Sequence, residues 1–127
     1  MTDDELYLYV KNDGQIYRDQ TTPLLGWLAD RKADGTYQRG DATSRFLVIV
    51  NDAANKYRRE FPGTVFSAGQ RRSTAAALAA DFEREWALGN MEWARGKTGP
   101  GLDRAKKSNA QLKREIDQAL RGSPRRR

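Results

Sequence analysis

The chain has 127 residues, a formal net charge of +6 at pH 7, and neither cysteine nor histidine. This length suits one domain with an appendage. The two missing residue types exclude disulfides, thiolate chemistry, histidine-based catalytic triads and ordinary zinc sites.

The positive charge is concentrated at the C-terminal end of the chain. Residues 95–127 hold eleven Lys or Arg against three acids, a net charge of +8, whereas residues 1–94 hold twelve bases and fourteen acids, a net charge of −2. A near-neutral body therefore carries a strongly basic segment. Such segments usually meet a polyanion or an acidic surface.

No apolar run approaches the roughly 18 residues that a membrane span needs. The longest run covers only residues 46–50, and the N-terminus is acidic where a signal peptide is basic. We therefore expect a soluble protein located in the cytoplasm.

Two helical stretches are predicted before residue 35. Thr2 and Glu5 are spaced as a capping box, which predicts a helix that ends at residues 12–14. The alternation of Leu6, Leu8 and Val10 would also suit a strand, and the cap favours the helix. A second helix is predicted over residues 15–33. Pro23 lies inside it, and because proline removes a backbone donor we expect a break or kink just before it.

The third helix has the clearest pattern. Asp41 is its predicted N-cap, and Pro62 with Gly63 ends it. Its apolar face repeats at three- and four-residue steps through Phe46, Ile49, Val50, Ala53, Tyr57 and Phe61.

A fourth helix is predicted to begin at Ser67 or Ser73, either of which can cap it, and to end at Gly89 and Asn90. Its apolar face comprises Ala75, Leu78, Ala79, Phe82 and Trp86. Met91 and Trp93 are expected to fold back onto the core.

A Gly/Pro-rich linker over residues 96–101 precedes a last predicted helix over residues 102–121. A seam with 3-4-3-4-3 spacing runs through Leu102, Ala105, Asn109, Leu112, Ile116 and Ala119. Within it, Leu102, Asn109, Leu112 and Ile116 form a candidate interface for a partner or a second copy of the chain. The alternative is that the seam docks on the body, which would leave Asn109 partly exposed.

The predicted fold class is therefore all-α. A compact bundle of about four helices occupies residues 1–95 and is followed by the linker. Residues 102–127 then form a basic C-terminal helical arm with an arginine-rich tip.

The basic residues of the C-terminal end are candidate phosphate contacts. They are Arg95, Lys97, Arg104, Lys106, Lys107, Lys113, Arg114, Arg121, Arg125, Arg126 and Arg127. Four of them, Arg104, Lys107, Arg114 and Arg121, would share one helix face. Phosphate contacts give affinity without sequence specificity, and because no aromatic residue lies beyond Trp93, base stacking is not expected there. The alternatives are docking on an acidic protein and a solubilising helix face.

Three other patterns favour structural interpretations. Residues 96–98 resemble the end of a phosphate-binding Walker A loop, but position 91 is Met where that loop needs glycine. Asp81 and Glu85, four residues apart, suit a solvated helix face better than a metal site. Tyr17-Arg18 and Tyr57-Arg58-Arg59 place aromatics beside arginines, which indicates core tyrosines more than a nucleic-acid surface. No catalytic residue, metal ligand or cofactor is predicted.

The body also resembles a group of small phage and prophage proteins of unassigned activity. The residues that carry this resemblance, spread over residues 5–88, are Leu6-Tyr7, Asn12-Asp13-Gly14, Tyr17-Arg18, Pro23-Leu24, Asp34-Gly35-Thr36-Tyr37, Ala53-Ala54-Asn55-Lys56-Tyr57, Glu60-Phe61 and Arg71-Arg72. The resemblance implies a mostly helical fold and an accessory role in a bacterial host. It supplies no catalytic residues and does not extend to the arm.

The sequence thus predicts a non-enzymatic accessory protein that binds DNA or RNA through its basic arm. The alternative is a stoichiometric inhibitor that binds a host or defence enzyme through the helical body.

Overall fold

The computed structural model describes residues 3–122, and within them the chain forms six helices and no strand, which confirms the all-α class. They are α1 (Asp3–Asn12), α2 (the consecutive segments Gly14–Ile16, Tyr17–Thr21 and Thr22–Asp34), α3 (Asp41–Glu60), α4 (Ala68–Ala87), α5 (Leu102–Ala105) and α6 (Asn109–Gly122). A 3-10 turn covers Glu92–Ala94. None of these helices is long and apolar enough to cross a membrane. The predicted cap at Thr2 and the arginine-rich tip lie outside the described residues.

The middle segment of α2 is a π-turn, and Pro23 explains its position. Thr22 donates its backbone N–H to the carbonyl of Tyr17, five residues earlier. Pro23 has no N–H for the carbonyl of Asp19, four residues before it. That carbonyl accepts the N–H of Gly101 at 2.9 Å. The break predicted before Pro23 is therefore present as a π-turn within one continuous helix, and it ties down a distant part of the chain.

The two predicted helix caps that fall within residues 3–122 have different outcomes. Ser67 caps α4, where its hydroxyl and the side chain of Gln70 form a reciprocal capping box. The prediction for Asp41 is wrong by one residue, because Gly40 is the N-cap of α3, with a φ of 90°, and Asp41 is the first helical residue. The Asp41 carboxylate instead accepts the backbone N–H of Gln38 at 2.7 Å.

One apolar core joins the helices, with α3 in contact with α1, α2, α4 and α6. The predicted apolar faces of α3 and α4 are largely confirmed: their Phe, Ile, Val, Leu and Ala members are buried. Phe61 is the exception, at 52% exposed, because α3 ends at Glu60 before it. Met91 is buried as expected, whereas Trp93 is 48% exposed.

The predicted helix over residues 102–121 is interrupted at residues 106–108, so α5 and α6 are separate helices. In α6 the buried positions are Leu112, Ile116 and Leu120, while Ala119 is exposed. The seam therefore advances by four residues each time rather than by alternating three and four. These side chains belong to the main core. The last helix therefore docks on the body, as the second of the two alternatives given above proposed.

The Gly/Pro-rich stretch is closely packed rather than extended away from the body. A Cβ added to Gly26 of α2 would lie 2.8 Å from the carbonyl oxygens of Ala94 and Lys97. A Cβ added to Gly99 would lie 2.5 Å from Cγ of Pro23. Glycine is required at position 26 because two backbone segments meet there, and at position 99 because the ring of Pro23 lies against it. The segment therefore passes directly over α2.

Candidate nucleic-acid interface

Arg45 of α3 fixes the start of the basic arm. Its guanidinium is almost fully buried, at 4% exposed. Nε donates to the carbonyl of Ala105 at 2.6 Å, Nη2 donates to the carbonyl of Lys107, and Nη1 donates to the side chain of Asn109. The Lys107 carbonyl lies within the interruption between α5 and α6, and the other two acceptors lie on either side of it. The predicted helix over residues 102–121 is therefore interrupted where two of its backbone carbonyls and the Asn109 side chain accept hydrogen bonds from the buried Arg45.

The surroundings of Arg45 balance its buried charge. Asp41, only 1% exposed, places a carboxylate oxygen 3.5 Å from Nη1, and Asn109 Nδ2 donates to the same carboxylate oxygen at 3.0 Å. The ring of Trp27 lies 4.1 Å from the guanidinium carbon. Burial lowers the pKa of Arg45, and the charge of Asp41 opposes that effect. Asn109, predicted as an interface residue, thus belongs to a network inside the chain and is partly exposed as expected.

Several of the predicted phosphate contacts have acidic partners in the fold. The ion pairs are Arg95–Asp30 at 3.5 Å, Arg104–Asp52 at 2.7 Å, Lys107–Glu115 at 3.0 Å and Lys113–Asp117 at 3.4 Å. A hydrogen bond from Lys107 lowers the pKa of Glu115, so that carboxylate stays ionised beside its partner. Exposed ion pairs of this kind are weak, so a polyanion can compete with the carboxylates for these Lys and Arg side chains. In the absence of a polyanion, the positive charge of each side chain is compensated by its acidic partner.

Four other predicted contacts are exposed and have no ion pair within residues 3–122: Lys97, Lys106, Arg114 and Arg121. Arg114 and Arg121 are seven residues apart on α6, which separates them by about 10 Å along one helix face. This face points away from the buried side chain of Leu112. The predicted single line of four cations is wrong, because the interruption at residues 106–108 separates Arg104 and Lys107 from Arg114 and Arg121.

The structure brings two cations of the body beside the arm. A groove of about 370 Å³ lies between the start of α3 and α6. Its polar lining includes Arg39, Thr43, Ser44, Arg72, Lys113 and Asp117. Asp117 is the one carboxylate among these lining residues, and it pairs with both Arg72, at 3.3 Å, and Lys113, at 3.4 Å. Hydrogen bonding from Arg72 lowers the pKa of Asp117. Three cations therefore line a groove with two hydroxyl groups.

Arg39 and Arg72 were not predicted as contacts. Both lie far in sequence from the charge-rich end, in segments whose acids and bases nearly cancel. Only the docking of α6 onto α3 places them beside Lys113. The sequence does not distinguish the two members of the Arg71-Arg72 pair, of which the structure buries Arg71, at 2% exposed, and leaves Arg72 exposed.

The carboxylate pair on α4 has ordinary partners. Asp81 pairs with Arg84 and accepts from the hydroxyl of Tyr7, while Glu85 accepts from the side chain of Asn90. Across residues 3–122 no group of three Asp or Glu side chains could hold a metal ion.

The tyrosine–arginine motifs differ from each other. Tyr57 packs against Tyr9, Phe61 and Phe66, with ring centroids 4.6–5.4 Å away, so it is structural. Tyr17, by contrast, is 42% exposed, so the prediction of a core tyrosine is wrong at this position.

No family model, curated protein or solved structure matches this chain.

Proposed function

We propose that this chain is a non-enzymatic accessory protein, of the phage type that its body resembles, which binds DNA or RNA through its basic C-terminal segment. The observation that carries the proposal is the exposed pair Arg114 and Arg121 on the outer face of α6, without acidic partners in the described chain. The groove lined by Arg39, Arg72 and Lys113 adds cations to this surface.

The physical basis is phosphate neutralisation. Lys and Arg side chains that contact phosphates release condensed counterions, which gives affinity that is independent of sequence and steeply dependent on salt. The groove also opens at the start of the 20-residue helix α3, where the helix dipole favours an anion. The binding surface combines residues from the body with residues from the arm.

Deleting the arm is a poor test of this proposal. Leu112, Ile116 and Leu120 are buried in the core, so their removal would destabilise the whole fold. Substitutions of exposed cations are therefore preferable. Arg114→Gln/Arg121→Gln removes two charges from the proposed surface.

The matched control is Arg58→Gln/Arg59→Gln, which removes the same charge from exposed positions at the other end of α3. Arg59 lies about 22 Å along that helix from Ser44 of the groove. Both double variants lower the net charge equally. A difference between them therefore reports the location of binding rather than overall charge.

The measurement is fluorescence anisotropy with a labelled DNA duplex and a labelled single-stranded RNA, at two salt concentrations. With about six phosphates neutralised, the log–log salt slope for duplex DNA is about −5. Each lost contact then costs about eightfold in affinity near 0.1 M salt, so Arg114→Gln/Arg121→Gln is expected to weaken binding by about 60-fold. The control is expected to change it by less than about threefold. Equal losses in both variants, or no binding at low salt, would overturn the proposal.

The exposed Trp93 favours a second candidate function. It is 48% exposed and lies five residues from Leu88, which is 65% exposed. Exposed tryptophans often anchor protein interfaces. This supports the alternative of a stoichiometric inhibitor that binds a host or defence enzyme. A specific complex that forms with the wild type and is lost in Trp93→Ala, together with absent nucleic-acid binding, would favour it.

A further inference from the structure

An apolar cavity lies beside the π-turn of α2. Its volume is about 240 Å³, and helices α1 to α4 contribute to its wall. The apolar lining comprises Val10, Leu25, Phe46, Leu78, Phe82 and Met91. An apolar cavity of about 150 Å³ is large enough to bind benzene. This cavity therefore has room for a substituted aromatic ring.

A buried hydroxyl without a partner lies in the same wall. Thr21 is 8% exposed, and its Oγ1 has no hydrogen-bond partner among residues 3–122. Thr74, which is 1% exposed, shows the usual arrangement, since its Oγ1 donates to the carbonyl of Gln70 at 2.9 Å. For Thr21 the corresponding carbonyl is that of Tyr17, which accepts the N–H of Thr22 in the π-turn and receives no hydrogen bond from the Thr21 hydroxyl. An unpaired buried hydroxyl costs free energy, and a ligand that bonds to it removes that cost.

The rim of the cavity carries an available carboxylate. Asp81 is engaged by Arg84 and lies 3.9 Å from Lys11, whose side chain also lines the cavity, so the charge of Asp81 is compensated. Glu85 has no ion pair among the described residues and accepts only from the neutral amide of Asn90, at 2.9 Å. A half-buried carboxylate beside an apolar cavity favours a cationic ligand group.

We propose that this cavity binds a small arylalkyl amine. The aromatic ring occupies the apolar space, and the ammonium group pairs with Glu85. A ligand carrying a further polar group can bond to the hydroxyl of Thr21. The π-turn supports this assignment, because such turns within α-helices are frequent at functional sites. The site is separate from the nucleic-acid surface, so it stands without the function proposed above.

The test is an NMR titration of the full-length ¹⁵N-labelled protein with three probes of similar size. These are 2-phenylethylamine, 2-phenylethanol and 3-phenylpropionate. For the amine we expect saturable shifts at the amides of Thr21, Leu78 and Met91, with a Kd on the order of 1 mM. The alcohol should bind about fivefold more weakly because it lacks the ion pair, and the carboxylate weakest of all.

Two variants separate the charge from the cavity. Glu85→Gln keeps a hydrogen-bonding group for Asn90 and should reduce amine affinity to that of the alcohol, without changing alcohol binding. Leu78→Phe fills the cavity and should abolish binding of both probes; if it does not fold, Met91→Phe serves the same purpose. No saturable shift up to about 10 mM amine would overturn the proposal. An amine preference that survives Glu85→Gln would overturn it too.

Discussion

Replacing Arg45 with methionine tests the central structural inference, that one buried guanidinium holds the basic segment on the body. Methionine keeps most of the side-chain length but removes every donor. The variant leaves the carbonyls of Ala105 and Lys107 without their bonds from α3. It also leaves the carboxylate of Asp41, 1% exposed, without its cation.

The expected cost follows from that stranded charge. Removing one member of a buried ion pair typically destabilises a protein by about 3–5 kcal/mol. An unfolding entropy of about 2.1 cal/mol/K per residue gives about 0.27 kcal/mol/K for the 127 residues of this chain. A loss of about 4 kcal/mol therefore lowers Tm by about 15 °C.

Two controls isolate the charge. Asp41→Asn/Arg45→Met removes both members of the pair and should recover about 1–3 kcal/mol relative to Arg45→Met alone. Arg71→Met removes a second buried arginine, 2% exposed, whose acceptors are the carbonyl of Phe66 and the side-chain oxygens of Asn51 and Asn55. It strands no carboxylate, so we expect a smaller loss of about 2 kcal/mol.

The assays are thermal and urea unfolding followed by circular dichroism, which give Tm and the free energy of unfolding, with hydrogen exchange of the α6 amides to locate the effect. Arg45→Met should increase exchange in α6 before global unfolding. The reasoning fails if Arg45→Met costs no more than Arg71→Met, or if the double variant is less stable than Arg45→Met.

Three further predictions concern stability. Gly26→Ala should lower the free energy of unfolding by about 1–3 kcal/mol, because the added Cβ meets two backbone carbonyls. Gly69→Ala, at an open helical position, should raise it by about 0.5–1 kcal/mol. Thermal melts of the two variants make the comparison. Thr21→Val should raise the free energy of unfolding by about 1 kcal/mol by removing an unpaired hydroxyl, while Thr74→Val should lower it by a similar amount; agreement in sign between the two would contradict the assignment. Burial raises the pKa of Asp13, but the hydrogen bonds that its carboxylate accepts outweigh burial, so the pKa is lowered. The ionised Asp13 therefore stabilises the fold fully above the unfolded-state pKa of about 3.9. This stabilisation is lost as pH falls through the folded-state pKa. Asp13→Asn should therefore be less stable than the wild type at pH 7, and the difference should shrink as pH falls through the lowered folded-state pKa of Asp13, as acid titrations of stability would show.

Helical periodicity and stop signals predicted the four longer helices of the body well. The apolar repeat of α3 and the end of that helix at residue 60 follow from side-chain spacing and from Pro62. Pro23 likewise predicted a disturbance in α2. These features depend on local sequence, so a single sequence is sufficient to find them.

The misinterpreted features depend on contacts between distant segments. The glycines and proline of residues 96–101 predict a linker because these residue types also mark flexible joints, yet Gly99 packs against Pro23. The regular spacing of residues 102–121 predicts one continuous helix. Its interruption follows from donors on Arg45, about 60 residues earlier, and the partners Asp30 and Asp52 of the basic residues are equally distant.

These contacts change what the charge pattern means. A free cationic arm would have to be ordered when it meets a polyanion, at an entropic cost that weakens binding. Here Gly101 bonds to the carbonyl that Pro23 leaves open, Arg45 holds the next turn, and Leu112 anchors α6 in the core. The cations on the outer face of α6 are consequently presented at a fixed spacing. The same docking places Arg72 of the body beside them, so the phosphate surface that we propose depends on the fold and not only on the composition of the C-terminal end.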